Sequence, residues 1–359
     1  MKKTLVALTV AAFAATAANA AVVYNQDGTK VEVSGSARVA LGKFGKDQRA
    51  DLRNDGSRLI FKAEHELGNG LKALAGYELR FKGGVDSDND TPDTKDDDES
   101  SNTFGSPETN KLYAGLAYDA VGTLTFGKQA TTADDVSLSD FAYIWGGNNN
   151  LVDADNKVVK FKSAEWSGFS FGTDYLFGDS SKQRTAMGAT ELKLKYGYGV
   201  SLFYTRDLAE DLALNLAAGY GVYRFDNETT TNTVAKDTSW RTSAQIVYGP
   251  ASFGVEYGQT GHKENDVKTQ TDRSLLVGAS YQVIEPSKVY LQWQRNQTKF
   301  DQSPVDNKET ENVYIVGADY KFTKNVVTFV EYARSTTKVE GVDNKEKENK
   351  YAAGLRVYF

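Results

Sequence analysis

The chain has 359 residues, a formal net charge of -6 and no cysteine, which excludes a disulfide framework and a cysteine-held metal. Five prolines, 32 glycines, 20 tyrosines and 18 phenylalanines suit a strand-rich chain with tight bends, because aromatics favour pleated surfaces and glycine permits turns. Beyond the first twenty residues no stretch approaches the 18 uninterrupted apolar residues of a transmembrane helix, and a mean hydropathy of -0.50 is that of a soluble chain, which a membrane β-barrel shares because only every second residue meets lipid.

The first twenty residues, MKKTLVALTVAAFAATAANA, carry Lys2 and Lys3, an apolar run, and then Ala18-Asn19-Ala20. This is the form of a cleaved secretory leader, so the mature chain is expected to begin at Ala21. From there one texture runs through residues 21–359, which reads as a single domain. Its unit is an alternating segment of roughly ten residues, as in VEVSGSARVAL (31–41), SRLIFKAEHEL (57–67), LKALAGYELRF (71–81), SLLVGASYQV (274–283) and ENVYIVGADYKF (311–322). The period is two, which is that of strands.

Connections between these segments alternate in length. Seven are short, at 68–70, 120–122, 167–168, 209–211, 249–250, 284–287 and 323–325; eight are long and polar, near 44–56, 83–110, 131–156, 178–187, 226–238, 264–272, 300–310 and 340–348. That asymmetry predicts an all-β, antiparallel transmembrane barrel of sixteen strands with tight turns on one side. The segment at 191–208 is either one long or bulged strand or a hairpin bent at 197–199, which would make eighteen. A soluble sandwich is the competing reading, weakened because so many strands would need several packed cores, whereas a closed barrel removes every edge.

The last ten residues, KYAAGLRVYF, place Tyr351, Ala353, Leu355, Val357 and Phe359 on one face and Lys350 and Arg356 on the other. The chain thus ends on a strand with a greasy face and a terminal ring. Parity also sorts the wall. With Leu59, Phe61 and Ala63 toward lipid, Arg58 and Lys62 point inward, and by the same rule Arg38, Lys72, Arg80, Lys111, Lys160 and Lys162 do too.

Enzymatic chemistry finds little support. His65 beside a short turn and His262 beside a long connection would sit at opposite ends of a barrel, so they cannot share one site. The second long connection begins like a calcium loop with Asp86, Asp88 and Asp90. The match fails, with Thr91 where glycine must turn the chain and Asp97 where a bidentate Glu is needed. Between Asp86 and Glu99, eight acids and Lys95 leave a net charge of -7. No catalytic residue, metal, cofactor or nucleic-acid partner is expected.

Together the AANA-AVVYN junction (17–25), the LRNDGSRLIFKAEHELGNGLKALAGYELRF block (52–81), TLTFGKQ (123–129) and the GLRVYF ending resemble the general porins of Gram-negative outer membranes, most closely the major porins of the Pasteurellaceae. The likeness runs the full length. It implies a homotrimer of sixteen-stranded barrels in the outer membrane, in contact with lipid and lipopolysaccharide, each a water-filled channel narrowed by an inward-folded third loop and passing ions and small hydrophilic solutes. It also implies that Tyr351, Leu355, Val357 and Phe359 form the signal read by the barrel-assembly machinery. General porins carry a basic cluster opposite the third loop, so Arg38, Arg58, Arg80 and Lys111, with Lys160, are expected on the pore wall. Counter-charge is expected from Asp134, Asp135 and Asp140. The family's Pro-Glu-Phe-Gly-Gly stretch is missing from the loop here, and Trp145-Gly146-Gly147 is the candidate to pack in its place. Opposed acidic and basic rims would set a transverse field across the opening. A substrate-selective channel would instead show aromatic residues along the lumen or a dense basic pocket. A structural or adhesive barrel would need a filled lumen, against the size of a sixteen-stranded ring.

Overall fold

A computed structural model describes residues 20–81, 104–178, 192–226, 234–301, 308–343 and 345–359. The leader before residue 20 and the acidic stretch at 86–99 lie outside the described residues. Strands β1 (Ala21–Gln26), β2 (Thr29–Lys43), β3 (Asp51–Asn54), β4 (Arg58–Gly68), β5 (Leu71–Phe81) and β6 (Pro107–Tyr118) come first. They are followed by β7 (Gly122–Ala130), β8 (Ala154–Ser163), β9 (Phe169–Phe177), β10 (Lys193–Ala209), β11 (Leu212–Asp226) and β12 (Val234–Tyr248). The series ends with β13 (Ala251–Glu264), β14 (Val267–Ile284), β15 (Ser287–Phe300), β16 (Lys308–Thr323), β17 (Val326–Val339) and β18 (Lys345–Tyr358). No described helix is long and apolar enough to cross a membrane.

Each long strand pairs antiparallel with the next, and β18 closes the ring on β2 through Tyr351↔Lys43 to Tyr358↔Ser36. Sixteen strands go round: β2 and then β4 through β18. The other two are short pieces against β2, with β1 on Thr29–Val33 and β3 on Val39–Gly42. Residues 193–209 form one strand with register shifts near each end, which settles the sixteen-versus-eighteen alternative in favour of a bulged strand. All seven short turns fall between strands. One long connection does not form. At 264–272 the chain turns on Asn265 and Asp266 alone, both with positive φ of 49° and 64°, a type I′ geometry that Asn and Asp tolerate and that matches strand twist. β14 therefore starts at Val267 and carries the polar residues 268–272 within its ladder.

The alternation has the sense expected of a barrel in lipid. On β17, Val330 is 57% exposed and Glu331 3%; on β15, Leu291 is 61% exposed and Gln292 2%. Apolar side chains face out, and the polar ones face the lumen. The closing strand follows the rule, with Tyr351, Leu355 and Phe359 outward. Phe359 exchanges backbone hydrogen bonds with Gly35, N to O at 3.0 Å and O from N at 2.7 Å. Its ring lies where a Cβ on Gly35 would sit, 2.7 Å away. The terminal aromatic thus completes the outer surface over a glycine of β2. Since a Lys near the mid-membrane on a barrel exterior costs about 2 to 4 kcal/mol, Leu355→Lys is expected to lower stability by that amount in urea unfolding from vesicles. Unchanged stability would overturn the assignment of the lipid face.

Candidate functional site

The segment between β7 and β8, residues 131–153, lies against inward-facing side chains over most of the ring. It opens with a 3-10 turn at Thr132–Val136, whose N-cap Thr131 accepts from the Ala133 N–H. Asp174 of β9 accepts the Thr132 N–H at 2.9 Å and also its hydroxyl. Further on, Glu256 of β13 accepts from Leu138 N at 3.2 Å and from Ser137 Oγ at 3.0 Å, and Gln292 of β15 accepts from Phe141 N at 3.1 Å. At the tip Glu331 of β17 accepts from the N–H groups of Tyr143 (2.7 Å), Ile144 (3.2 Å) and Trp145 (2.8 Å) and from the Tyr290 hydroxyl (2.6 Å). Arg356 of β18 donates to Tyr143 O at 2.7 Å and to Asp55 at 2.6 Å.

The return limb retraces the wall. Gln294 donates to Gly147 O and Arg241 to Asn148 O, while Thr260 donates to Asn150 O and the Tyr223 hydroxyl accepts from Val152 N. Close approach depends on glycine. A Cβ at Gly254 would lie 2.7 Å from Ser139 Cα, and one at Gly278 would lie 2.1 Å from Ser139 O. Apolar patches complete the fit, with Phe141, Tyr143 and Trp145 packed on Tyr290, Ile315 and Ala333. Tyr143 stacks on Phe329 at 4.5 Å, and Trp145 meets Phe44 at 6.1 Å. Trp145 thus packs as expected. Gly146 follows it, and a Cβ there would push on the Asp140 carboxylate and the Gln292 amide, the ends of two side chains.

The loop covers the inner wall from β9 round to β18. On the opposite side, Arg58, Arg80 and Lys111 surround Glu78 at 3.6, 3.7 and 3.4 Å, and Asn110 donates to it at 2.8 Å. Arg38 donates to Ser36 Oγ at 2.8 Å and lies over the Tyr358 ring. The four cations are thus on neighbouring strands, with a carboxylate among them that the sequence reading did not single out. Its signal was available, since Glu78 shares parity with Lys72 and Arg80. Lys72, nearer the short turns, meets Glu66 and Asp119 at 3.4 and 3.7 Å. Lys160 donates to Ala130 O at 2.8 Å, and Lys162 is paired with Asp135.

The three loop acids differ. Asp134 is open to water, yet the surrounding barrel together with Asp153 and Asp135 pushes its carboxyl up to about 6. Asp135 reaches Lys162. Asp140 accepts from Ala142 N at 3.1 Å and lies against Gly146, and burial raises it too, to about 6. The sequence reading also missed the anchoring acids Asp174, Glu256, Glu331 and Asp319, which accepts from the Tyr143 hydroxyl at 2.6 Å, and the inward cation Arg241; it placed Arg356 on the lumen face but not against the loop.

His65 meets Thr29 at 2.7 Å, while His262 lies between Asp237 and Asp272 at 2.7 and 2.8 Å. Both ring nitrogens of His262 are therefore occupied by carboxylates, leaving neither to activate a nucleophile. Among the described residues no cluster has the make-up of a metal site.

A closed sixteen-stranded ring, apolar outside and charged within, with a loop lining most of its lumen, defines a membrane channel. The family model for Gram-negative porins matches residues 7–340, and the chain belongs to that family. It is 41% identical over 371 residues to a major outer membrane protein of Pasteurella multocida, with full coverage of both chains. Among solved structures it is similar to a trimer form of OmpT from Vibrio cholerae (TM-score 0.70, 20% identity, covering 93% of this chain and 100% of that one). It is also similar to an anion-selective porin from Comamonas acidovorans (TM-score 0.66, 16% identity, 92% and 100%). The protein is an outer-membrane β-barrel channel.

Proposed function

We propose that the channel is a general diffusion pore for ions and small hydrophilic solutes, without covalent chemistry. Its narrowest section would lie between the Arg38, Arg58, Arg80 and Lys111 wall and the loop face carrying Asp134 and Asp135. The observation that carries this reading is the placement of residues 131–153, which cover β9 to β18 and reach Ala40 and Phe44 through Ile144 and Trp145, while Arg58, Arg80 and Lys111 gather round Glu78 of the wall. Asp140, turned into the loop's own backbone, contributes less to the field than the two acids before it. Lys160 lies on the wall between the two rims.

A selective pore is less well supported, because the inward rings that could make an aromatic track are beneath the loop: Tyr290 is 2% and Phe329 1% exposed. As in its relatives' class, the barrel is read as a homotrimer in lipid and lipopolysaccharide. Its leader, residues 1–20, would be removed on export, and its Tyr351, Leu355, Val357 and Phe359 face would be read by the barrel-assembly machinery.

The test is the reversal potential of single channels in a salt gradient. Neutralising Asp134 and Asp135 together to Asn is expected to move it toward anions, and Arg58→Gln with Arg80→Gln toward cations. Asp134 loses its charge as pH falls through about 6, so lowering the pH from 7 to about 5 should reproduce part of the first shift in the native protein. The Asp134→Asn variant should lose that part of the response. Reversal potentials unmoved by either pair would show that the constriction lies elsewhere.

A further inference from the structure

His262 and its two carboxylates take no part in the constriction, yet they join three strands. Asp237 of β12 is the direct cross-strand partner of His262 on β13, and Asp272 of β14 lies diagonally across on the other side. Asp237 shares the parity of Arg241, and His262 that of Thr260, two side chains that hold the returning limb of the loop at Asn148 and Asn150. The trio therefore faces the lumen just beyond that limb. On the outer face of the same strands Trp240 and Tyr257 meet at 5.5 Å, and Thr238, Lys236, Gln259 and Lys263 follow them. Aromatic rows of this kind lie at the headgroup level of a barrel, so the trio stands clear of the membrane.

Hydrogen-bond chemistry fixes the protonation. Nδ1 of His262 is 2.7 Å from Asp237 and Nε2 is 2.8 Å from Asp272. A neutral imidazole has one N–H and one lone pair, so it could serve one carboxylate only and would turn its lone pair on the other. Two such contacts need the imidazolium. The hydrogen bonds to Asp237 and Asp272 accordingly push the ring up to about 9, against the opposing effect of burial. The side chains keep between a quarter and a third of their surface open, so the proton exchanges with lumen water without unfolding.

No other charge takes the place of the two acids. Tyr223 of β11 pairs with Asp237, Glu309 is reached only across Thr298, and Glu264 comes two residues further along β13. Arg241 is engaged with the carbonyls of Asn148 and Ala133, and Lys236, Lys263 and Arg273 have the outward parity. The two acids are not equivalent. Asp272 also accepts from Gln270 at 2.9 Å, whereas the Asp237 carboxylate has His262 alone among the described residues.

We infer that Asp237, His262 and Asp272 form a proton-held clasp in the outer vestibule, which carries a fixed cation at neutral pH and ties β12 to β14 above the returning limb of the loop. Losing the proton releases Asp237 into the lumen and leaves both carboxylates without a counter-charge, which favours cations at this wall. That effect on selectivity rests on the reading of the lumen as an ion path; the clasp itself does not. The folded chain holds this proton more tightly than the unfolded one, so the stability it contributes is complete below about pH 6.5 and is lost as pH rises through about 9. An ordinary histidine would change charge in the range where Asp134 does; His262 leaves that range to Asp134.

The experiment follows the imidazole signals of the folded protein in detergent, labelled with ¹³C-histidine, through an NMR titration from about pH 5 to about pH 10.5. The chain has two histidines, and a His65→Gln variant tells them apart. The His262 midpoint is expected at about 9, falling to about 6.5 in the Asp237→Asn/Asp272→Asn double variant. A native midpoint below about 7.5 would overturn the clasp. Single channels read its consequence. Between about pH 7 and about pH 9.5 the reversal potential of the native protein should move further toward cations than that of His262→Gln, in which only lysines and tyrosines titrate. Equal shifts in the two proteins would overturn the role in the vestibule. A missing Asp134 response at acid pH would count against the constriction instead, and the histidine titration does not depend on it.

Discussion

Replacing Glu331 with alanine is expected to release the tip of the lumen loop and raise single-channel conductance, with frequent transitions between levels. One carboxylate there accepts from three successive backbone N–H groups and a phenol. Without it four donors lose their acceptor, at about 1 to 3 kcal/mol for each that water cannot reach. Glutamine is a poor substitute. It keeps one carbonyl oxygen and turns an NH₂ toward groups that also donate, so Glu331→Gln should lie nearer the alanine variant than the native protein. The barrel ladder itself is untouched, and strand content should be preserved. Conductance together with liposome swelling by sugars of increasing size checks this. Native conductance and native size discrimination in Glu331→Ala would mean that the loop is held by its flanks, at Asp174 and Glu256.

The barrel was legible because its cause is local. Alternation places one residue in lipid and the next in water, and every rung from Val31 to Phe359 repeats that decision. Turns were legible where Gly or Asn forces the bend, as at 68–70. The 264–272 stretch was misread because polarity resembled loop character. Lys268, Thr269 and Gln270 are polar as members of a ladder beyond the apolar belt, and only Asn265-Asp266 carried the turn.

The site divides in the same way. Parity turned Arg38, Arg58, Arg80 and Lys111 inward along with other lysines, and the family resemblance set those four apart before their contacts were known. The anchors of the loop were not found, since an inward Glu on a strand reads as a lumen charge whether it meets water or backbone. What distinguishes Glu331 and Glu256 is a loop that arrives from far along the chain. The one local trace was glycine at inward positions, Gly254 and Gly278, where the wall has made room for Ser139. Asp140 shows the converse limit: its loop position suggested a pore charge, but the neighbouring Gly146 lets its carboxylate fold back against the backbone.

Arg356 had the standing of an ordinary lumen charge in the sequence, and the structure makes it a lock. Its guanidinium reaches Asp55 through Nε at 2.7 Å and Nη2 at 2.6 Å, donates to Tyr143 O, and lies over the rings of Tyr143 and Phe329 at 4.7 and 5.3 Å. Asp55, in the first long connection, is 2% exposed. Removing one partner of such a pair strands the other without compensation, which costs about 3 to 5 kcal/mol. Arg356→Gln should therefore destabilise the barrel at least as much as Leu355→Lys on the lipid face of the same strand. Lysine should not rescue it, because a point charge cannot reach Asp55 and Tyr143 O together while lying over two rings. The second loss should be small once the first is made: Asp55→Asn combined with Arg356→Gln is expected to fall well short of the sum of the two, the mark of coupled partners. Urea unfolding of the four proteins in vesicles gives the cycle, and strictly additive losses would show that Arg356 holds the loop tip through Tyr143 alone.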